Sequence, residues 1–165
     1  MKLLILLLFT VTMFSQTAIG ISASLDNKLT FIEDDYGNKP FTFDGTFKFS
    51  MQGYQKKLGY LQIAAKYEFA DLAGGKLHRY GAEVGYTFTY NKFGLMPHAG
   101  YGILKRENDY ARRSWEFGAT ASFRVLKNFK IITAVIWTER TDLLKVGYRM
   151  NMNTGIQYMI STDYK

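Results

Sequence analysis

The stretch that decides the fold runs from Tyr80 to Tyr90 and reads YGAEVGYTFTY. Every second residue from Tyr80 is apolar or aromatic, whereas the residues between them are glycine, threonine and the carboxylate Glu83. An alternation with period 2 is typical of a β-strand that has two different faces. The segment therefore predicts a strand whose aromatic face and small polar face lie in different surroundings.

The same alternation recurs along the chain and predicts eight strands. They cover residues 17–25, 41–53, 60–70, 80–90, 95–103, 114–125, 129–140 and 148–160. Segment 129–140 is apolar on both faces, so its facing stays open. Segment 58–72 also fits a helix that stops at Gly74 and Gly75, but a strand is preferred because strands flank it. Short connections (54–57, 91–94, 126–128) alternate with longer or more polar ones (26–40, 71–78, 105–113 and a smaller one at 141–142).

The N-terminus predicts export. Lys2 precedes an apolar run from Leu3 to Phe14 and then small polar residues, as in a signal peptide, and the run is too short for a transmembrane helix. We expect residues 1–15 to be removed, with cleavage as late as residue 20 also compatible, and residues 16–165 to form one barrel domain. The formal charge of +7 for the whole chain would suit nucleic acid, but export argues against that partner.

Two architectures fit eight two-faced strands: a soluble lipocalin-like barrel with a polar outer face, and a membrane barrel with an apolar outer face. The small polar face is rich in glycine, which suits a crowded lumen better than a solvated surface. It contains Gly81, Gly85, Gly100, Gly102, Gly118, Gly147 and Gly155. The other face carries aromatic residues near the strand ends, as at membrane–water boundaries. These are Tyr54, Tyr60, Tyr80, Tyr90, Trp115, Phe123 and Tyr158.

The sequence therefore predicts an all-β fold: an antiparallel up-and-down transmembrane β-barrel of eight strands with short periplasmic turns and longer outer loops. In signal peptide, strand count, alternation and loop asymmetry the chain resembles the small eight-stranded outer-membrane proteins of the outer-membrane protein A or X type. The resemblance covers residues from about 17 to 160, and the end at Lys165 departs from the terminal aromatic residue common in that family. It implies a location in the outer membrane of a Gram-negative bacterium.

Charged residues on the inward parity are the first candidate site. They are Lys48, Lys66, Glu68, Glu83, Glu116 and Arg149. Because acids and bases are mixed and an eight-stranded lumen is narrow, we expect a network that plugs the lumen; the alternative is the gate of a small channel for polar solutes.

The outer loops are the second candidate site, since rigid scaffolds commonly carry recognition on loops. One loop is acidic and aromatic, with Glu33, Asp34, Asp35 and Tyr36, and another is basic, with Arg106, Tyr110, Arg112 and Arg113. They predict a surface-binding role, such as adhesion or reception of an extracellular ligand, with outer-membrane lipid and lipopolysaccharide phosphates as further partners. We expect a monomer.

Catalysis, metals and cofactors find little support in the sequence. The chain has no Cys and two His; His78 is expected at a loop and His98 in the lumen. No serine lies in register with either histidine for a lipid-modifying triad, and no ligand cluster is spaced for a metal. We expect no enzyme activity and no cofactor.

Overall fold

The structure is a computed structural model that describes residues 18–31, 38–53, 58–72, 75–107, 109–142 and 147–161. Its strands, numbered β1 to β8 in chain order, are Ala18–Asp26, Asp44–Gln52, Gly59–Leu72, Gly75–Tyr90, Phe93–Arg106, Arg112–Leu126, Phe129–Arg140 and Gly147–Ser161. A short helix, α1, spans Asn27–Phe31. No helix in these ranges is long and apolar enough to cross a membrane.

The strands form a closed barrel in which each strand pairs antiparallel with its neighbours in sequence. Closure is made by β1 and β8, which pair from Ala18 opposite Ser161 to Asp26 opposite Asn153. A closed sheet leaves no edge, so its backbone groups are satisfied where the surrounding medium offers no hydrogen bonds. The predicted fold class is confirmed. We call the end that carries α1 the outer end and the end with turns 91–92 and 127–128 the periplasmic end.

The two faces of the wall have the predicted polarity. In β4, Tyr80, Val84 and Phe88 are 56%, 50% and 51% exposed on the outside, whereas Glu83 and Thr87 are each 3% exposed on the inside. An apolar outer wall around a polar interior is the inverse of a water-soluble barrel and is what a transmembrane barrel requires. The lipocalin-like alternative is therefore wrong.

Several boundaries differ from the sequence prediction. Strands β4 and β5 extend further toward the outer end than expected, so only residues 73–74 separate β3 from β4 and no long loop spans 71–78. Of segment 58–72, residues 59–72 form strand β3 and not a helix. His78 lies within β4 and not in a loop, where its Nδ1 is 2.9 Å from the hydroxyl of Tyr67. At the start of β2 the prediction was too long, since the strand begins at Asp44.

Strand β7, whose facing the sequence left open, turns Ile132, Ala134 and Ile136 into the lumen. One stretch of the interior is therefore apolar, which is why β7 has no polar face there. Tyr60 is a second correction: it is 6% exposed inside the barrel and does not belong to the outer aromatic belt. Its position in β3 has the same parity as the inward Gln62.

Two glycines face each other where strands β4 and β5 pair. Gly81 pairs with Gly102, and a Cβ on Gly102 would lie only 2.6 Å from the backbone oxygen of Tyr80. The contact is with backbone, which cannot move aside, so a larger residue would force the strands apart. The small residues of the inward face thus reflect crowding inside a narrow barrel.

Candidate functional site in the barrel lumen

An apolar cap fills the outer end of the lumen. Helix α1 places Leu29 there at 0% exposure, in contact with inward side chains of β3, β4 and β5. The cluster consists of Leu29, Ala70, Leu72, Leu77 and Leu104. Asp26 supports the start of α1, since its Oδ1 accepts the backbone N–H of Lys28 at 2.9 Å. The segment after β1 therefore begins as part of the barrel interior and not as a solvated loop.

Arg149 connects three strands at the same end of the barrel. Its Nη2 lies 3.0 Å from Oδ2 of Asp26, and its Nη1 lies 3.0 Å from Oδ2 of Asp44. All three side chains are at most 3% exposed. Because buried charges are costly without partners, this arrangement ties β8 to the ends of β1 and β2.

A second outer-end cluster surrounds Asp142, in the turn after β7. Its Oδ2 is 2.6 Å from Nε of Arg106 and 2.7 Å from Nη2 of Arg140. Burial by itself would raise the pKa of Asp142, but hydrogen bonds from Arg140 and Arg106, together with their charges, lower this pKa to about 2. Asp142 is thus held ionised between two arginines.

The middle of the lumen centres on Glu116. Its Oε2 accepts hydrogen bonds from Nζ of Lys66 at 2.7 Å and from Nη1 of Arg79 at 2.6 Å. Glu68 is close to both cations, with its Oε2 at 3.8 Å from Lys66 and 4.0 Å from Arg79. Two acids and two bases therefore neutralise each other across strands β3, β4 and β6.

A neighbouring group links Lys48, Glu83, His98 and Thr120. The Nζ of Lys48 lies 2.7 Å from Oε2 of Glu83, and the same oxygen is 3.6 Å from Nδ1 of His98. On the other side of the ring, Nε2 is 3.2 Å from Oγ1 of Thr120.

A hydroxyl, an imidazole and a carboxylate lie next to one another in the order found in a catalytic triad, but their geometry does not support one. A separation of 3.6 Å is not a hydrogen bond, and all these groups are buried. The adjoining cavity, lined by Lys48, Glu83 and Thr120, has a volume of only about 30 Å³, which leaves no room for a substrate.

The lumen changes character toward the periplasmic end. Below the apolar stretch of β7, the amide of Gln52 donates to Oε1 of Gln62 at 3.0 Å. Nearby, Lys130 donates from Nζ to the hydroxyl of Tyr60 at 3.1 Å and lies over the Tyr60 ring, 5.6 Å from its centroid. This end is polar, but the ion pairs of the outer half are replaced by amides, a phenol and a cation.

All six residues predicted for the lumen network lie inside the barrel, with Lys48 10% exposed at its side chain and the others buried. The sequence prediction missed further members of the network, and these are Asp26, Asp44, Arg79, Arg106, Arg140 and Asp142. The alternation could have predicted Arg79, because it shares the parity of Gly81 and Glu83, but the predicted strand began one residue after it.

The residues predicted for the outer loops lie in different places. Glu33, Asp34, Asp35 and Tyr36 lie outside the described residues. Arg106 is a correction: it ends β5 with its side chain inside, 7% exposed, and is not a loop residue. Tyr110 is 88% exposed. Arg112 and Arg113 are exposed at the start of β6, where Arg112 pairs with Asp109 at 3.1 Å and donates to the carbonyl oxygen of Thr141.

Cations also line the outer rim of the lipid-facing wall on β4, β5 and β6. Lys105 stands opposite His78, and Arg113 stands opposite Ile103. Lys76 is two residues from His78 on the same face of β4. Together these three form a basic row, which the sequence prediction had placed on loops. Trp115 and Tyr80 lie closer to the membrane on the same strands and are 57% and 56% exposed.

Within the described ranges, no three His, Asp or Glu side chains are grouped so that they could hold a metal ion. The arrangement supports structural ion pairing inside the barrel and ligand contacts at its surfaces. The lumen network is the most extensive of these features, because every strand contributes to it. Strand β5 contributes His98 and Arg106, and β7 contributes Arg140.

Comparison with known proteins shows the fold. No protein-family model matches the chain, and no curated protein matches it in sequence. Among solved structures, the chain is similar to the Yersinia pestis outer-membrane protein Ail in a phospholipid bilayer nanodisc, with 15% identity and a TM-score of 0.54 over 88% of this chain and 99% of that one.

Two further structures agree. Ail in complex with the heparin analogue sucrose octasulfate has 16% identity and a TM-score of 0.50 over 88% of this chain and 97% of that one. A major outer-membrane protein from Thermus thermophilus has 11% identity and a TM-score of 0.50 over 87% and 99% of the respective chains. The chain thus has the fold of small outer-membrane β-barrels.

Proposed function

We propose that this chain is an integral outer-membrane β-barrel that binds ligands at its outer surface and has a lumen closed by its own side chains. The observation that carries the proposal is the inverted wall: large apolar side chains face outward on every strand, while the charged residues pair inside. Such a wall requires an apolar surrounding such as lipid or detergent. With the signal peptide that the sequence predicts at residues 1–15, the outer membrane of a Gram-negative bacterium is the matching location.

Closure of the lumen is supported by two barriers in series. The apolar cap around Leu29 blocks the outer end, and the ion pairs around Glu116 cross the middle. Breaking a buried pair leaves an uncompensated charge, so these contacts resist opening. A plug therefore fits the geometry better than the gate of a small channel.

Surface binding is supported by the basic row of Lys76, Lys105 and Arg113. These side chains stand at the outer rim above the exposed Trp115 and Tyr80, at the height where headgroups meet the aromatic belt. Lysine and arginine are suited to phosphate, so lipopolysaccharide phosphates are the first ligand we propose. The exposed Tyr110 and Arg112 extend the same surface toward an extracellular ligand.

The proposed outer surface also has an acidic part, opposite in charge to the basic row, which consists of Glu33, Asp34, Asp35 and Tyr36. The protein acts as a binding or structural element, without catalysis and without a cofactor. The sulfated ligand seen with Ail belongs to that protein; the similarity in fold makes a sulfated sugar a reasonable second probe for the basic row here.

Three measurements test this proposal. The chain should fractionate with outer membranes and migrate differently on a gel before and after boiling. Folded protein in planar bilayers should give no steady conductance; steady conductance that changes selectivity in Glu83→Gln would establish a channel instead.

Lipopolysaccharide binding should weaken about tenfold in a Lys105→Gln, Arg113→Gln double variant and stay unchanged in Lys127→Gln, which removes a cation from the opposite end. Equal loss in both would reject the basic row as the site.

A further inference from the structure

Two cations face each other directly at the periplasmic end of the barrel. Arg124 on β6 and Lys130 on β7 are cross-strand partners, and both have the inward parity of their strands. Like charges placed directly opposite in an antiparallel pair destabilise it. Lys130 is only 7% exposed, so water does little to relieve the repulsion at that position.

Among the described residues, the other cations that are buried or nearly buried in the lumen are neutralised. Each of them has a carboxylate oxygen within 3.0 Å, and they are Lys48, Lys66, Arg79, Arg106, Arg140 and Arg149. Lys130 differs, because its partner among the described residues is the neutral hydroxyl of Tyr60, at 3.1 Å. A buried charge without a counter-charge is costly.

A small cleft at this end collects these cations. The cleft encloses only about 10 Å³ and is otherwise open to solvent, so a ligand has to bind across its mouth and not inside it. The lining contains three cations, Lys92, Arg124 and Lys130, together with polar groups of Tyr60, Asn91 and Ser122, and within the described part of the chain it contains no carboxylate. Phe93 also lines the cleft and is 61% exposed on the lipid-facing wall. The cleft therefore lies where the membrane surface meets the barrel mouth.

We propose that this cleft is a binding site for a phosphate group, which supplies the negative charge that the barrel itself does not. Arginine donates two parallel hydrogen bonds to phosphate oxygens, Lys130 adds a charge from the facing strand, and Ser122 and Asn91 add neutral hydrogen bonds. The phosphate belongs either to an inner-leaflet phospholipid, whose chains lie along Phe93, or to a soluble phosphate ion. The site is separate from the outer basic row, which lies at the opposite end of the barrel.

The test uses full-length mature protein refolded in an uncharged maltoside detergent, with folding checked by the mobility shift on boiling. Binding of inorganic phosphate and of dihexanoyl phosphatidylglycerol is measured by titration calorimetry. Arg124→Gln and Lys130→Gln should each weaken affinity at least about tenfold. Lys127→Gln is the matched control, because it removes an exposed cation from the same end without altering the cleft, and affinity should change less than about twofold.

Each outcome decides something. Binding of both probes, or of one, with the expected loss in the variants supports the site and identifies the source of the phosphate. The proposal is overturned if the folded wild type binds neither probe, or if Lys127→Gln loses as much affinity as the two cleft variants. If Lys130→Gln does not refold, Arg124→Gln gives the same decision, since Arg124 is exposed. The refolding check keeps a failure of this proposal separate from a failure of the membrane-barrel proposal.

Discussion

The Nη1 atom of Arg79 lies 2.6 Å from Oε2 of Glu116, which joins β4 to β6 across the lumen although β5 separates the two strands in the sheet. The two residues are far apart along the chain, and closure of the barrel brings them together. Lys66 reaches the same oxygen from β3 at 2.7 Å. One carboxylate therefore holds two buried cations, and the stability of the middle of the barrel depends on it.

The substitution Glu116→Gln should destabilise the barrel by about 3 kcal/mol or more, because it leaves the more distant Glu68 as the nearest carboxylate to Lys66 and Arg79. Urea unfolding in detergent, followed by tryptophan fluorescence, measures the change. Glu107→Gln is the control, since Glu107 is exposed in the turn after β5 and its loss should have little effect. Equal stability of Glu116→Gln and wild type would mean that water neutralises the lumen charges.

The substitution Val84→Arg should destabilise the barrel by about 2–4 kcal/mol if it lies near the bilayer midplane, because it places a charge in lipid. Val84 is 50% exposed on the outer wall of β4. Val84→Leu keeps the apolar character and should be nearly neutral. Refolding into lipid vesicles at increasing urea concentrations measures both. If the arginine variant were as stable as the leucine variant, Val84 would not face lipid.

The substitution Asp142→Asn should remove an acid-dependent component of stability. The pKa of Asp142 is about 2 in the folded protein against 3.8 ordinarily, so its ionised form stabilises the fold above pH ~4, and this contribution is lost as pH falls from about 4 to about 2. The contribution is about 2 kcal/mol. Unfolding curves at pH ~7, ~4 and ~2.5 measure this, and the difference between wild type and variant should shrink by more than about half at the lowest pH. A constant difference at all three values would contradict the assignment to ionisation.

The substitution Leu29→Ala should destabilise the outer end by about 3 kcal/mol, because Leu29 is fully buried among the leucines of β3, β4 and β5. Phe31→Ala is a matched control within the same helix, since Phe31 is 75% exposed. Unfolding in urea and protease cleavage within residues 32–37 measure global and local effects. Equal effects of the two substitutions would show that α1 does not cap the lumen.

The capping role of α1 also changes an expectation about the loops. The sequence predicted one long polar connection over residues 26–40, yet Asp26 pairs with Arg149 and Leu29 lies in the buried cluster of the cap. Replacement restricted to residues 32–37 should leave the barrel folded. In the predicted basic loop 105–113, replacement should likewise be restricted to residues 107–111, because Arg106 pairs with Asp142 inside the barrel.

Alternation by itself determined the fold class, the strand count and the facing of β4. The physical reason is local: side chains of a strand point to opposite sides, so a period of 2 records two environments wherever these differ in polarity. Where both sides are apolar, the alternation disappears and the facing cannot be inferred from the sequence. Only the structure could place Ile132, Ala134 and Ile136 inside. The prediction for Tyr60 was wrong for another reason: its aromatic ring suggested the outer aromatic belt, although its position in the alternation pointed inward.

Only the tertiary structure decided which charges meet. Lys66 and Glu116 belong to strands that are not neighbours in the sheet, and Arg149 meets Asp26 and Asp44 because β8 closes on β1. The sequence shows that each of these strands has an inward face, but distances across a lumen depend on how the whole sheet curves and closes. The same is true of the facing cations Arg124 and Lys130: their parity is local, whereas their register, and the lack of a carboxylate among the described residues of their cleft, follow from the assembled barrel.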